Sequence, residues 1–254
     1  MRIYLMVIIF FFSIIMKVEG EGLNQLDFKF YVIPTAGPEH VDFEIVIKND
    51  EDIPLHFEFP TSQIMELTVL DSIGKEVYVY SKGRYFLQAF QTVTIEPHQT
   101  YKRIEKWDYL YKGKRVSQGE YTVKASLLPT SLNGEPVKDR SRLISIQKMI
   151  VPEENPVFRH IEKEGNKGSY MITGEARTGN GMFYYTVEDG HVEFMKEKQY
   201  VTEGESMSWV PFKIHIQIPQ EKLPSHGSLI LHLYERSKEN KIIHTYPVIL
   251  EEFE

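Results

Sequence analysis

Val41, Phe43, Ile45 and Ile47 alternate with Asp42, Glu44 and Lys48 in the stretch VDFEIVIKND. Successive side chains of a strand point to opposite faces, so this pattern prescribes a pleated strand with one dry and one wet face. The same reading holds for PLHFEFP, MELTVLD, EVYVYS, QTVTIEP, YKRIEKW, EYTVKASLL and SRLISIQKMIV. Between them DSIGK, EPHQ and LNGE supply the Gly, Pro and Asn that tight turns require. No stretch after residue 20 sustains a helical period. Short strands at this density over about 130 residues predict an antiparallel sandwich of immunoglobulin-like type.

Residues 151–168, VPEENPVFRHIEKEGNKG, are rich in proline, glycine and charge, and they are expected to interrupt the strands at a domain boundary. Strand patterns then resume in SYMITGEA, MFYYTVEDG, HVEFMKEKQYV, WVPFKIHIQIP, SLILHLYER and IIHTYPVIL, with Asp189-Gly190 as a two-residue hairpin signal. The expectation is an all-β chain of two immunoglobulin-like antiparallel β-sandwich domains in tandem, residues 21–150 and 151–254. The two halves share a class without a sequence repeat.

Cysteine is absent, so each sandwich must hold by core burial alone, and neither a cysteine nucleophile nor a thiolate zinc site can form. The first twenty residues carry Arg2, an apolar run from Ile3 to Met16, and Lys17. Such a run spans roughly 21 Å as a helix, short of the ~30 Å of a bilayer core, which predicts a signal peptide cleaved after Gly20. If residues 1–20 were retained they would be a membrane anchor. The expected location is therefore secreted or extracytoplasmic, in the cell envelope.

A net charge of −7 argues against nucleic-acid binding, which depends on neutralising phosphate. No serine stands in a Gly-x-Ser-x-Gly turn, and the acidic residues lie scattered over strands and loops. The nine histidines are dispersed; His191 and Glu193 share an expected strand face without a third ligand. The TGNG stretch at 178–181 lacks the third glycine of a nucleotide fingerprint and reads as a loop. No enzyme, metal or cofactor is expected. Trp107 and Trp209 are read first as core anchors, with a surface role for Trp209 as the alternative.

Two stretches stand out as binding candidates. The knot Thr61-Ser62-Gln63 interrupts an alternating pattern, and the side chains of Ser62 and Gln63 can satisfy main-chain groups at a bend or meet a partner. The loop Ser81-Lys82-Gly83-Arg84-Tyr85-Phe86 could offer Arg84, Tyr85 and Phe86 to the pockets of a protease, with Gly83 at the turn, although Phe86 also reads as core.

Asn49 closing a strand, Phe59 with Ser62-Gln63, Asp71 with Gly74, Ser81, Phe86 with Gln88-Ala89, Pro97, Trp107, and Gly119 with Tyr121 follow one another in an order that resembles the BsuPI family, the intracellular proteinase inhibitors of bacilli. The likeness covers about residues 26–130, with Met65-Glu66, Tyr78 and Tyr80 as departures. ITGEARTGNG, SWVPFKIHIQIP, GSLILHLYERSKENK and YPVIL are similar to the immunoglobulin-like domain of bacterial spore germination proteins, with Glu239-Asn240 departing. These resemblances imply a non-enzymatic binding protein. Its partner would be a protein, most concretely a serine protease of the subtilisin kind that it inhibits; the alternative is a cell-envelope or spore-associated interaction scaffold, with a role in sporulation or germination, whose partner is an envelope or spore protein.

Overall fold

The computed structural model describes residues 26–204 and 207–253. Its first part contains β1 (Phe28–Ala36), β2 (Val41–Asn49), β3 (Leu55–Phe59), β4 (Met65–Leu70), β5 (Glu76–Val79), β6 (Gln91–Ile95), β7 (Thr100–Trp107), β8 (Leu110–Tyr111), β9 (Lys114–Arg115), β10 (Gly119–Leu127), β11 (Ser131–Leu132), β12 (Glu135–Pro136) and β13 (Ile144–Val151). The second holds β14 (Phe158–Asn166), β15 (Ser169–Ala176), β16 (Met182–Glu188), β17 (Glu193–Val201), β18 (Val210–Gln217), β19 (Gly227–Arg236) and β20 (Ile242–Phe253). Every ladder among the described residues is antiparallel, so the chain is an all-β sandwich protein, as its alternation requires.

In the first part, sheets β1-β2-β7 and β12-β11-β3-β6 lie against β13-β10-β4-β5. Val41, Phe43, Ile45 and Ile47 are fully buried while Asp42, Glu44 and Lys48 keep access to solvent. Phe28 and Phe57 meet edge to face at 5.4 Å, the arrangement favoured by ring quadrupoles. Trp107, 3% exposed, packs among Tyr78, Tyr109 and Tyr121, and its indole donates to the Leu110 carbonyl at 3.1 Å.

Asn49 explains how one long antiparallel ladder is broken into the pairs β2·β7 and β3·β6. Its amide is completely buried and donates to the carbonyls of Ile53 and Ile95, each at 2.9 Å, while its oxygen accepts from Glu51 N–H. The groups that lose ladder partners at the break are thus satisfied.

A second core gathers around Phe183, which meets Phe158 at 5.2 Å and Phe212 at 5.0 Å. Here β14-β15-β18 faces β17-β16-β19-β20. The stretch 151–168 was expected to carry no strand, yet β14 runs from Phe158 to Asn166. As an edge strand it buries only Phe158, so its remaining residues are free to be charged and the alternation disappears.

The two cores meet at the turn between β1 and β2. Glu39 accepts from His160 N–H at 2.7 Å, from Ile161 N–H at 3.2 Å and from the Tyr246 hydroxyl at 3.0 Å. These N–H groups are available because a bulge between Arg159 and Glu162 takes them out of the β14·β15 ladder, with His160 at φ 54°.

Candidate functional site

The chain leaves β5, at the edge of one sheet, and reaches β6, at the edge of the opposing one, through residues 80–90. This crossing is the loop that the sequence singled out. It opens with two turn bonds, Lys82 N–H to Val79 and Arg84 N–H to Ser81, and Gly83 takes φ 77°, where a Cβ would strain the backbone.

The Ser62-Gln63 knot lies beneath the loop and grips it at both ends. At the far end Leu87 N–H donates to Ser62 Oγ at 2.9 Å, and Ser62 N–H donates to the Leu87 carbonyl at 3.0 Å. At the near end Gln63 Nε2 donates to Glu66 Oε2 at 3.1 Å, and Glu66 Oε1 accepts from Ser81 N–H at 3.1 Å. Ser62, Gln63 and Ser81 are therefore engaged in shaping the loop.

The Arg84 guanidinium donates to Glu105 at 3.0 Å and lies 4.1 Å over the Tyr80 ring, while Arg103 holds the other oxygen of the same carboxylate. Burial works against the Arg84 charge, but the bond to Glu105 more than offsets this and raises its pKa. Glu105 is 8% exposed on β7, where Lys102 and Lys106 face water, and it holds both Arg84 and its strand neighbour Arg103. Phe86 is half-buried and packs 5.9 Å from Tyr80, as its reading as a core residue implied.

Lys82, Gly83 and Tyr85 project into solvent, and Leu87 and Phe90 join them. Tyr85 is wholly exposed, Leu87 71% and Phe90 80%. The sequence reading missed Leu87 and Phe90. Their signal was an apolar set, FLQAF, that fits neither period two nor a turn.

Other candidates resolve into structure. Trp209 is half-buried with Arg159 at 4.1 Å and Arg177 at 4.8 Å from its ring, so guanidinium groups occupy its π surface. His191 precedes β17, in a turn where Asp189 accepts from the N–H groups of His191 and Val192, and it shares no strand with Glu193. A cleft of about 380 Å³ between the two cores is lined by Glu39, Arg115 and Arg159. Glu39 is bound as above, Arg115 donates to the carbonyls of Pro38 and Pro152, and Arg159 bonds Glu175 at 2.6 Å, so these three charges are committed to the joint.

Residues 29–132 match BsuPI, the intracellular proteinase inhibitor family. The BsuPI match contains the knot, the whole crossing loop and Glu105. It overturns the expectation of a secreted or extracytoplasmic chain, because that family is described as intracellular. Export rested on the length, hydropathy and charged flanks of a run that lies outside the described residues. Among the described residues no helix is long and apolar enough to cross a membrane.

Comparison with curated proteins gave no match. Among solved structures the chain is similar to a red sea bream transglutaminase at 13% identity, over 89% of this chain and 31% of that one, with TM-score 0.33. It is similar to a β-glucosidase of Erythrobacter marinus at 16% identity, over 50% and 16%, with TM-score 0.28, and to the YadV chaperone at 11% identity, over 87% and 100%, with TM-score 0.24. The chain thus spans less than a third of the transglutaminase, and none of these likenesses bears on function.

Proposed function

We propose that this chain is a non-enzymatic inhibitor that binds a serine protease of the subtilisin kind through the loop 81–90. The observation that carries this reading is the exposure of Tyr85, Leu87 and Phe90 on a loop fastened at both ends by Ser62 and by the Gln63-Glu66 pair. Exposed apolar side chains cost solubility unless a partner covers them, and a loop fixed in advance loses little entropy when it docks. The BsuPI match over residues 29–132 supports the class of partner. The resemblance of the second sandwich to the immunoglobulin-like domain of spore germination proteins makes sporulating cells the place to seek the target.

The test is titration of a subtilisin-like protease with the full chain. A stoichiometric loss of activity is expected. Undiminished hydrolysis at a tenfold excess of the chain would remove the reading.

A further inference from the structure

Arg84 and Tyr85 are exposed neighbours that differ in what holds them. The Arg84 guanidinium is engaged by Glu105 and by the Tyr80 ring, whereas Tyr85 is fully exposed. Among the described residues no hydrogen bond occupies the Tyr85 phenol or its main chain. Its N–H and C=O are therefore free to add to the edge of an enzyme cleft, as an inhibitor segment must. The chain on either side is held, by Arg84 before it and by Phe86 on Tyr80 and Leu87 on Ser62 after it.

We propose that Tyr85 is the side chain that enters the primary specificity pocket of the target protease, and that this pocket is large and apolar. A protease that selects cations would need Arg84, whose guanidinium is already bonded to Glu105 and laid over Tyr80. This assignment rests on the inhibitor reading above and deepens it.

The consequence for the reaction is a bond that is cut slowly and resealed. The protease serine oxygen adds to the Tyr85 carbonyl carbon, the bond to Phe86 nitrogen breaks, and the departing amine takes up the proton that the serine lost. Because Phe86 and Leu87 stay anchored, that amine remains beside the new ester. It attacks the ester carbon, expels the serine and restores the peptide bond faster than water intervenes.

Three serine proteases separate the outcomes: one with a large apolar pocket, one with a carboxylate at the pocket base, and one with a small pocket. The full chain is expected to inhibit the first, and Tyr85→Ala to weaken that inhibition at least ~30-fold, as loss of a central aromatic anchor does. Tyr85→Phe should stay within about threefold, since the ring supplies most of the contact. Tyr85→Arg should transfer inhibition to the protease with the carboxylate. Long incubation should leave one nick, between Tyr85 and Phe86, visible by mass spectrometry. Inhibition by Tyr85→Ala equal to that by the native chain would overturn the assignment and leave the inhibitor reading standing. Inhibition of none of the three by the native chain would remove both. A dimer of the free chain that Tyr85→Ala dissolves would also overturn it, because the loop would then serve a second copy.

Discussion

Ser62 and Leu87 exchange two hydrogen bonds, Leu87 N–H to Ser62 Oγ at 2.9 Å and Ser62 N–H to the Leu87 carbonyl at 3.0 Å. Residues 25 positions apart are joined as if in a ladder, and the loop between them is closed into a fixed shape. Ser62→Ala removes one of the two bonds at a partly exposed position. We expect a loss of about 0.5–1.5 kcal/mol in urea unfolding. Hydrogen exchange at the Leu87 amide should quicken by more than that global loss accounts for, because the main local restraint is gone.

Tyr78 offers a test in the opposite direction. Its ring stacks on Phe43 and lies against Trp107, but its hydroxyl is buried with no hydrogen-bond partner among the described residues. Burial pushes the phenol's pKa up, as expected for an oxygen that cannot afford charge there. Tyr78→Phe keeps the ring and discards the unsatisfied oxygen. Thermal unfolding should show unchanged or slightly higher stability, by up to about 1 kcal/mol. A clear loss would mean that an ordered water serves the hydroxyl.

Asn49→Ala should be among the costliest single changes in the first sandwich. It leaves the buried Ile95 carbonyl without its partner, together with the part-buried Ile53 carbonyl and Glu51 N–H. At ~1–3 kcal/mol for the buried group left unsatisfied, and less for the two that water can reach, we expect about 2–3 kcal/mol by chemical denaturation. Asn49→Asp should be no better, since a carboxylate cannot donate to those carbonyls.

The contrast between Asn49 and Leu87 shows where sequence reading succeeds. Asn49 ends a strand whose alternation is unmistakable, and Val41, Phe43, Ile45 and Ile47 are buried as their spacing requires. Local pattern decides there, because each residue's face follows from its neighbours. Leu87 and Phe90 are apolar and exposed, so hydropathy assigns them to a core that they do not join. Arg84 looks like an offered side chain until the fold brings Glu105 beside it from 21 positions away. In β14 the main chain makes the strand and only Phe158 contributes burial, which leaves no pattern to detect. Sequence period reports burial; it is silent on contacts made across sheets.

Acid should weaken the second sandwich through Glu197. Arg236 and then the Tyr234 hydroxyl bond its carboxylate and hold its pKa below the ordinary 4.5. A carboxyl depressed in the folded state stabilises fully above its unfolded pKa, and that contribution fades as pH falls through the lowered value. Urea midpoints compared between pH 6 and pH 3 should drop for the native chain. In Glu197→Gln the drop should be smaller, with lower stability at pH 6 and convergence toward the native chain in acid.

Glu39 sets how firmly the two cores are joined, and its removal separates that effect from stability within either one. It is one carboxylate with donors on the far core at His160, Ile161 and Tyr246, the last of them 207 positions away. Tyr246 is 4% exposed, and burial first, then the Glu39 charge beside it, drives its phenol's pKa far up. Glu39→Ala takes nothing from either hydrophobic cluster, because Glu39 belongs to neither. It does leave two bulged N–H groups and a phenol seeking water, so the joint should open to let water in. We expect faster proteolysis across residues 152–157 and a larger radius of gyration in X-ray scattering, with the unfolding midpoint moved little. Glu39→Gln, which keeps one acceptor oxygen, should fall between the two. A midpoint that collapses in Glu39→Ala without any change in scattering would show that the turn at 37–40 holds up the first sandwich itself and couples nothing.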